Sequence, residues 1–327
     1  MSLSPILRKA LDGAVPSDAD IRRLIELPDG RLPELLDAAH RIRLARFGNR
    51  VSLCAIVNAR SGRCSEDCAF CAQSARHRAE SPVYPLISPE EIETAGRAAR
   101  AAGAARFGVV LSGMSPSEGD LASLAESVAR LARLGLAPDL SAGILAAGRL
   151  KTLKKAGLAG YHHNLETSRT FFPRICTTHG YDEDVDAVRN AIEAGLHVCS
   201  GGIFGIGETW DDRVELALLL RELGVDSVPI NFLHPAPGTP LADRTLLSPE
   251  EALRIVAVYR FLLPDRALRI CGGRPTVFGA GRKGELLTAG ASGLMIGDYL
   301  TTKGGDVASD FDEMKRAGLV PADGDKG

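Results

Sequence analysis

Val51-Ser52-Leu53-Cys54-Ala55-Ile56-Val57-Asn58-Ala59 is the stretch whose reading decides the fold. It is a short apolar run rich in β-branched residues, the pattern of a strand buried on both faces of a sheet. Comparable runs start at Arg106, Pro138, Tyr161, His197, Ser227, Leu268 and Gly293. Helical signals lie between them. Ser88-Pro89-Glu90-Glu91 and Ser248-Pro249-Glu250-Glu251 each offer an N-cap Ser, Pro in the first turn and Glu three residues after the cap. Leu121, Leu124, Val128 and Leu131 mark one apolar face of another helix. Strands alternating with helices predict repeated βα units and a parallel sheet. The fold class expected is α/β, a (β/α)8 TIM-type barrel. A doubly wound sheet fits less well, because no G-x-G-x-x-G joins the first strand to its helix. In such a barrel, chemistry belongs at the C-terminal ends of the strands and in the loops that follow them.

Upstream of Val51 the pattern is helical: Ser17 can cap a segment carrying Ile21, Leu24 and Ile25, and a second segment follows around Leu35, Leu36, Ala39 and Ile42. The chain of 327 residues therefore divides into a helical extension (1–48), the barrel (49–320) and a short polar, frayed tail (321–327). A hydrophobic share of 45% and a charged share of 24% supply a large core and exclude disordered or low-complexity classes. Lys plus Arg (39) nearly balance Asp plus Glu (41), so no basic footprint for nucleic acid or anionic membrane is present. With no long apolar run and no hydrophobic signal core, the expectation is a cytoplasmic protein acting on small molecules. Seven cysteines, an odd number in a long chain of that kind, point to metal or catalytic thiols in place of a disulfide framework.

Three of those thiols stand directly after the first strand, in Cys64-Ser65-Glu66-Asp67-Cys68-Ala69-Phe70-Cys71. A C-x3-C-x2-C run on one loop suits a soft metal centre. Structural zinc is the plainer reading, but zinc sites commonly present two separated C-x2-C pairs and four closed ligands. Three thiolates on a four-iron cluster would leave one iron open to a substrate or cofactor.

With its aromatic residue before the last Cys, this run resembles the signature of radical S-adenosylmethionine enzymes. The ordered set Tyr161-His162-His163-Asn164-Leu165-Glu166-Thr167-Ser168, Val198-Cys199-Ser200-Gly201-Gly202-Ile203, Pro229-Ile230-Asn231 and Leu300-Thr301-Thr302 is similar to the biotin synthase family over nearly the whole chain from Val51 to Leu319. The resemblance implies a 5′-deoxyadenosyl radical, released when a reduced [4Fe–4S] cluster cleaves S-adenosylmethionine, and sulfur insertion into dethiobiotin from an auxiliary iron–sulfur cluster. It implies that Cys64, Cys68 and Cys71 hold the [4Fe–4S] cluster and that Phe70 and Ile203 flank the adenine. Asn164 and Glu166 would take the ribose of S-adenosylmethionine, while Asn164, Asn231, Thr301 and Thr302 would take dethiobiotin. An electron donor of flavodoxin or ferredoxin type and a homodimer come with the same resemblance. Each residue also has a plainer reading, as a turn former, a cap or a packing residue, and Gly201-Gly202 and Gly205-Ile206-Gly207 read equally well as backbone turns or as places of cofactor approach.

The chain departs from the family at the auxiliary cluster. That cluster is a [2Fe–2S] centre in the family, held by three cysteines and an arginine, and only Cys199 and Arg269 match. Gly108 and Asp139 stand where the other two cysteines belong. The expectation is a cluster of different composition with more iron, ligated by Cys199 with Cys54 and Cys176, with Cys271 and Arg269 as further members. Cys54 shares strand parity with Ser52, Ile56 and Asn58, and Cys271 with Arg269. Two other readings stay open: a hydrogenase-cofactor maturase or methylornithine-type mutase of the same subgroup, and a non-catalytic metal-binding barrel.

Overall fold

The computed structural model describes residues 2–279, 281–301 and 304–322; Thr302 and residues 323–327 of the tail lie outside them. Strands form at every expected position: β1 (Arg50–Arg60), β2 (Arg106–Leu111), β3 (Ala137–Ser141), β4 (Gly160–His162), β5 (His197–Cys199), β6 (Gly202–Phe204), β7 (Ser227–Phe232), β8 (Ala267–Ile270) and β9 (Gly293–Met295). Neighbours pair in parallel, and β9 pairs back onto β1 with Ser52 opposite Gly293, so the sheet closes as a (β/α)8 barrel. β5 and β6 are two halves of one strand position, both bonded to β7, with Cys199 opposite Ser227 and Gly202 opposite Ile230. The break falls at Gly201, where a Cβ would lie 2.1 Å from the Pro229 carbonyl oxygen. A short strand β10 (Val320–Pro321) lies outside the barrel and pairs with the start of β1, Val320 opposite Arg50.

Side-chain alternation along β1 sets the two environments. Val51, Leu53 and Ala55 are buried in the core between barrel and helices, whereas Cys54 and Ile56 face the barrel interior. The helices begin as their capping residues dictate. At α4 (Pro89–Ala101) the Ser88 side chain accepts the Glu91 N–H and Glu91 accepts the Ser88 N–H. At α9 (Pro249–Leu262) Ser248 caps alone, because Glu251 pairs instead with Arg213 of the preceding helix.

The N-terminal extension folds as α1 (Ser4–Leu11), α2 (Asp18–Ile25) and α3 (Leu32–Phe47), all packed against α9. Every α9 residue from Ala252 to Leu262 is buried as a result. Two arginines within that run survive burial because their donors are taken: Arg254 by the Leu27 carbonyl (2.7 Å) and Asp29 (2.8 Å), Arg260 by the carbonyls of Gly290 (2.8 Å) and Leu263 (3.0 Å).

Candidate functional site

The three-cysteine loop leaves the C-terminal end of β1 and is held by its own backbone. Cys64 donates to the Gln73 carbonyl (3.0 Å), Ala75 to the Cys64 carbonyl (2.8 Å) and Cys71 to the Cys68 carbonyl (2.9 Å). Arg63, immediately before Cys64, sits at φ 52°, a left-handed conformation that costs a non-glycine residue about 1–2 kcal/mol. The Cys71 thiol is pushed up by burial, with Cys64 adding to the effect. Cys68 is pushed up by its hydrogen bond with Cys176 and then by burial. Three half-buried cysteines on one loop, free of disulfides, form a donor set that suits the open-iron [4Fe–4S] arrangement.

From Phe70 and Cys71 at the rim, a cavity of about 300 Å³ runs down the barrel to Cys54, Cys199 and Cys271. Asn164, Glu166, Ile203, Asn231 and Thr301 line it on the way, so the structure brings these expected site residues together. Asn164 Oδ1 accepts the Gly201 N–H (3.2 Å) and its Nδ2 donates to Glu166 (3.3 Å). Glu166 is the only other non-glycine residue at positive φ (63°) among the described residues, and burial pushes its carboxyl up to about 7. Asn231 bridges strands, donating to the Gly202 carbonyl (3.1 Å) and accepting the Gly272 N–H (2.9 Å). The N–H groups of Gly205, Ile206 and Gly207 are engaged by the Glu208 carboxylate at 2.9–3.1 Å, so that glycine segment is a turn closed on itself.

At the floor, burial raises the Cys54, Cys199 and Cys271 thiols, and the Arg269 guanidinium opposes the rise in all three. Arg269 itself donates to Ser52 Oγ (2.9 Å). His197 Nε2 is buried there and has no hydrogen-bond partner among the described residues. Three sulfurs, an arginine and an unsatisfied imidazole nitrogen around one space are a donor set that fits an auxiliary iron–sulfur cluster.

Sequence reasoning missed the pair that fills the lost cysteine positions. Arg106 Nε and Nη2 reach Asp139 Oδ2 (2.9 Å) and Oδ1 (2.5 Å), next to Gly108. Gly160 on β4 makes room for it: a Cβ there would stand 2.3 Å from Asp139 Oδ1 and 2.6 Å from Arg106 Nη2. Two opposite charges on adjacent strands with inward parity were the available signal.

The expected grouping of Cys176 with Cys54 and Cys199 is corrected. After β4 the turn Phe172–Arg174 carries the chain back to the rim, where Ala69 donates to the Ile175 carbonyl (2.8 Å). Cys176 Sγ consequently lies 3.9 Å from Cys68 Sγ, and the partner of Cys54 and Cys199 is Cys271.

Residues 59–220 match the Radical SAM superfamily, and residues 229–320 match the Biotin and Thiamin Synthesis associated domain. A biotin synthase from Pelotomaculum thermopropionicum is 52% identical over 286 residues, covering 87% of this chain and 89% of the relative. Another, from Geobacter sulfurreducens, is 46% identical over 317 residues, 96% of each. Among solved structures, methylornithine synthase superposes with a TM-score of 0.85 over 97% of both chains at 24% identity. The FeFe-hydrogenase maturase from Carboxydothermus hydrogenoformans does so at 0.81, with 20% identity over 98% of this chain and 79% of that one. At those identities the two structures speak for the fold alone.

Proposed function

We infer the chemistry of the cavity from the premise that this chain belongs to the biotin synthase family of radical S-adenosylmethionine enzymes. It converts dethiobiotin to biotin by sulfur insertion, with S-adenosylmethionine, a [4Fe–4S] cluster and an auxiliary iron–sulfur cluster. The observation that carries the reading is the single cavity joining the three-cysteine loop to the sulfur-rich floor. Bound at its two ends, the clusters supply the reducing electron that releases the 5′-deoxyadenosyl radical and the sulfur atom to be inserted.

The residues divide the remaining work. Cys64, Cys68 and Cys71 hold the [4Fe–4S] cluster, and Phe70 and Ile203 present apolar surface to the adenine. Glu166 accepts from the ribose hydroxyls. Asn164, with one amide to donate and accept, serves both the ribose and the ureido ring of dethiobiotin. Asn231 and the backbone at Thr301 contact dethiobiotin; Thr302, named for the same role, lies outside the described residues. Cys54, Cys199 and Cys271, with Arg269, ligate the auxiliary cluster from positions other than the family's, because Gly108 and Asp139 provide no sulfur, and the composition proposed for it is one with more iron than [2Fe–2S].

No helix among the described residues is long and apolar enough to cross a membrane. A cytoplasmic homodimer served by a flavodoxin- or ferredoxin-type electron donor completes the proposal. Anaerobic incubation with dethiobiotin, S-adenosylmethionine and reductant tests it. Biotin formed together with 5′-deoxyadenosine is the expected result; 5′-deoxyadenosine without biotin would favour a sister activity of the same superfamily.

A further inference from the structure

The thiol that the auxiliary site does not use belongs to a second constellation. Cys176 Sγ, His179 Nδ1 and a Glu66 carboxylate oxygen all lie within 4.8 Å of one another. His179 Nδ1 is 2.8 Å from Glu66 Oε2 and 3.3 Å from Cys176 Sγ. Its other nitrogen, Nε2, faces Asp184 Oδ2 at 3.3 Å, and Asp184 Oδ1 is held in turn by His163 Nε2 at 2.8 Å. An imidazole that donates Nε2–H to a carboxylate turns the Nδ1 lone pair outward, which is how metal-ligating histidines are oriented. Here Nδ1 faces a carboxylate and a sulfur, and in that tautomer the three groups are held together by a cation between them. In a tetrahedral zinc site, bonds of about 2.0 Å to N and O and about 2.3 Å to S separate N from O by roughly 3.3 Å and N from S by roughly 3.5 Å. The two distances from His179 Nδ1, 2.8 Å to Glu66 and 3.3 Å to Cys176, need to widen by only about half an ångström and about two tenths to reach that geometry.

We propose that Glu66, Cys176 and His179 bind a borderline divalent transition-metal ion of the zinc class, distinct from both iron–sulfur clusters. The ion ties the loop bearing Cys64, Cys68 and Cys71 to the loop after β4, beside Cys68. Nothing in this depends on the sulfur-insertion reading; because Cys176 Sγ lies 3.9 Å from Cys68 Sγ, zinc and cluster are read out separately.

The probe is zinc chloride, titrated anaerobically into cluster-loaded protein from which loosely held metal has been removed by chelator. The expected result is one zinc per chain, with X-ray absorption showing one sulfur and otherwise nitrogen or oxygen neighbours. Cys176→Ser and His179→Gln are expected to weaken binding at least 100-fold, and Asp184→Asn about 10- to 100-fold through the orientation of His179. The signal of the reduced [4Fe–4S] cluster is recorded for each variant, so that loss of zinc is separable from loss of the cluster. Should wild-type protein bind no zinc, show an all-sulfur shell, or keep its affinity in both Cys176→Ser and His179→Gln, the proposal is overturned and the cation between these groups is a proton on His179.

Discussion

Arg106 and Asp139 face each other across β2 and β3 as a two-point ion pair, in the part of the barrel floor where this chain lacks two family cysteines. Both side chains are largely shielded, 5% and 15% exposed, so removing the carboxylate leaves a buried guanidinium without its main counter-charge. Asp139→Ala is expected to destabilise the protein by about 3 kcal/mol. Gly160→Ala, which drives a methyl group into the same pair, is expected to cost about 1–3 kcal/mol. Anaerobic denaturant titrations of the two variants check both values.

Cys54→Ala, Cys199→Ala and Cys271→Ala separate the two halves of the reaction. Each is expected to lower the iron and sulfide content and to abolish biotin while 5′-deoxyadenosine is still formed. Cys176→Ala leaves the auxiliary iron in place. Mössbauer spectra of anaerobically purified protein distinguish these outcomes, and auxiliary iron unaffected by all three floor substitutions would sink the assignment.

Substitution of Cys64, Cys68 or Cys71 by Ala acts at the other end of the cavity. Cleavage of S-adenosylmethionine falls to background in each variant, and the signal of the reduced [4Fe–4S] cluster disappears. Electron paramagnetic resonance and 5′-deoxyadenosine assays read the two effects independently.

Glu166 predicts a pH dependence whose direction follows from burial. Its folded-state pKa is raised to about 7, so the stability it confers is present at low pH and is lost as pH rises through about 7. A shift of this size corresponds to about 3 kcal/mol, reduced to roughly 1–2 kcal/mol because the carboxyl faces an open cavity. Without S-adenosylmethionine the protein is therefore expected to be more stable at pH 6 than at pH 8. Affinity for S-adenosylmethionine runs the other way and improves over the same interval, because only the ionised carboxylate accepts from both ribose hydroxyls. Glu166→Gln is expected to flatten both profiles in calorimetric titrations.

Asn231→Ala removes a side chain that stands between three strand ends and the cavity. The KM for dethiobiotin is expected to rise about tenfold, in line with one or two hydrogen bonds at roughly 1 kcal/mol each, with a smaller change for S-adenosylmethionine. Steady-state measurements against each substrate in turn separate the two.

The barrel was legible in the sequence because each strand is a local apolar run, and the radical-cluster loop because its three cysteines are neighbours in the chain. The floor was only half legible. Parity along β1 and β8 places Cys54, Arg269 and Cys271 inward, as observed. The position of Cys176 was not readable, since it depends on a turn after β4 whose path is set by contacts with Asp67 and Ala69, more than a hundred positions away. Nor was the Arg106–Asp139 pair, which exists only once two strands are aligned in register and Gly160 has cleared the space beside them.

The closure of the barrel between β1 and β9 has a consequence for the order in which the protein is made. β1 is complete by Arg60, but the strand that covers its far edge starts only at Gly293, and β10 follows at Val320. While the chain leaves the ribosome, this long apolar strand keeps one row of backbone donors and acceptors open to foreign strands. Iron delivered to Cys64, Cys68 and Cys71 before Gly293 has emerged would meet an open sheet in place of a chamber. Maturation of the clusters thus belongs after β9 has emerged, and slow synthesis between β1 and β9 is where aggregation of this protein is to be sought.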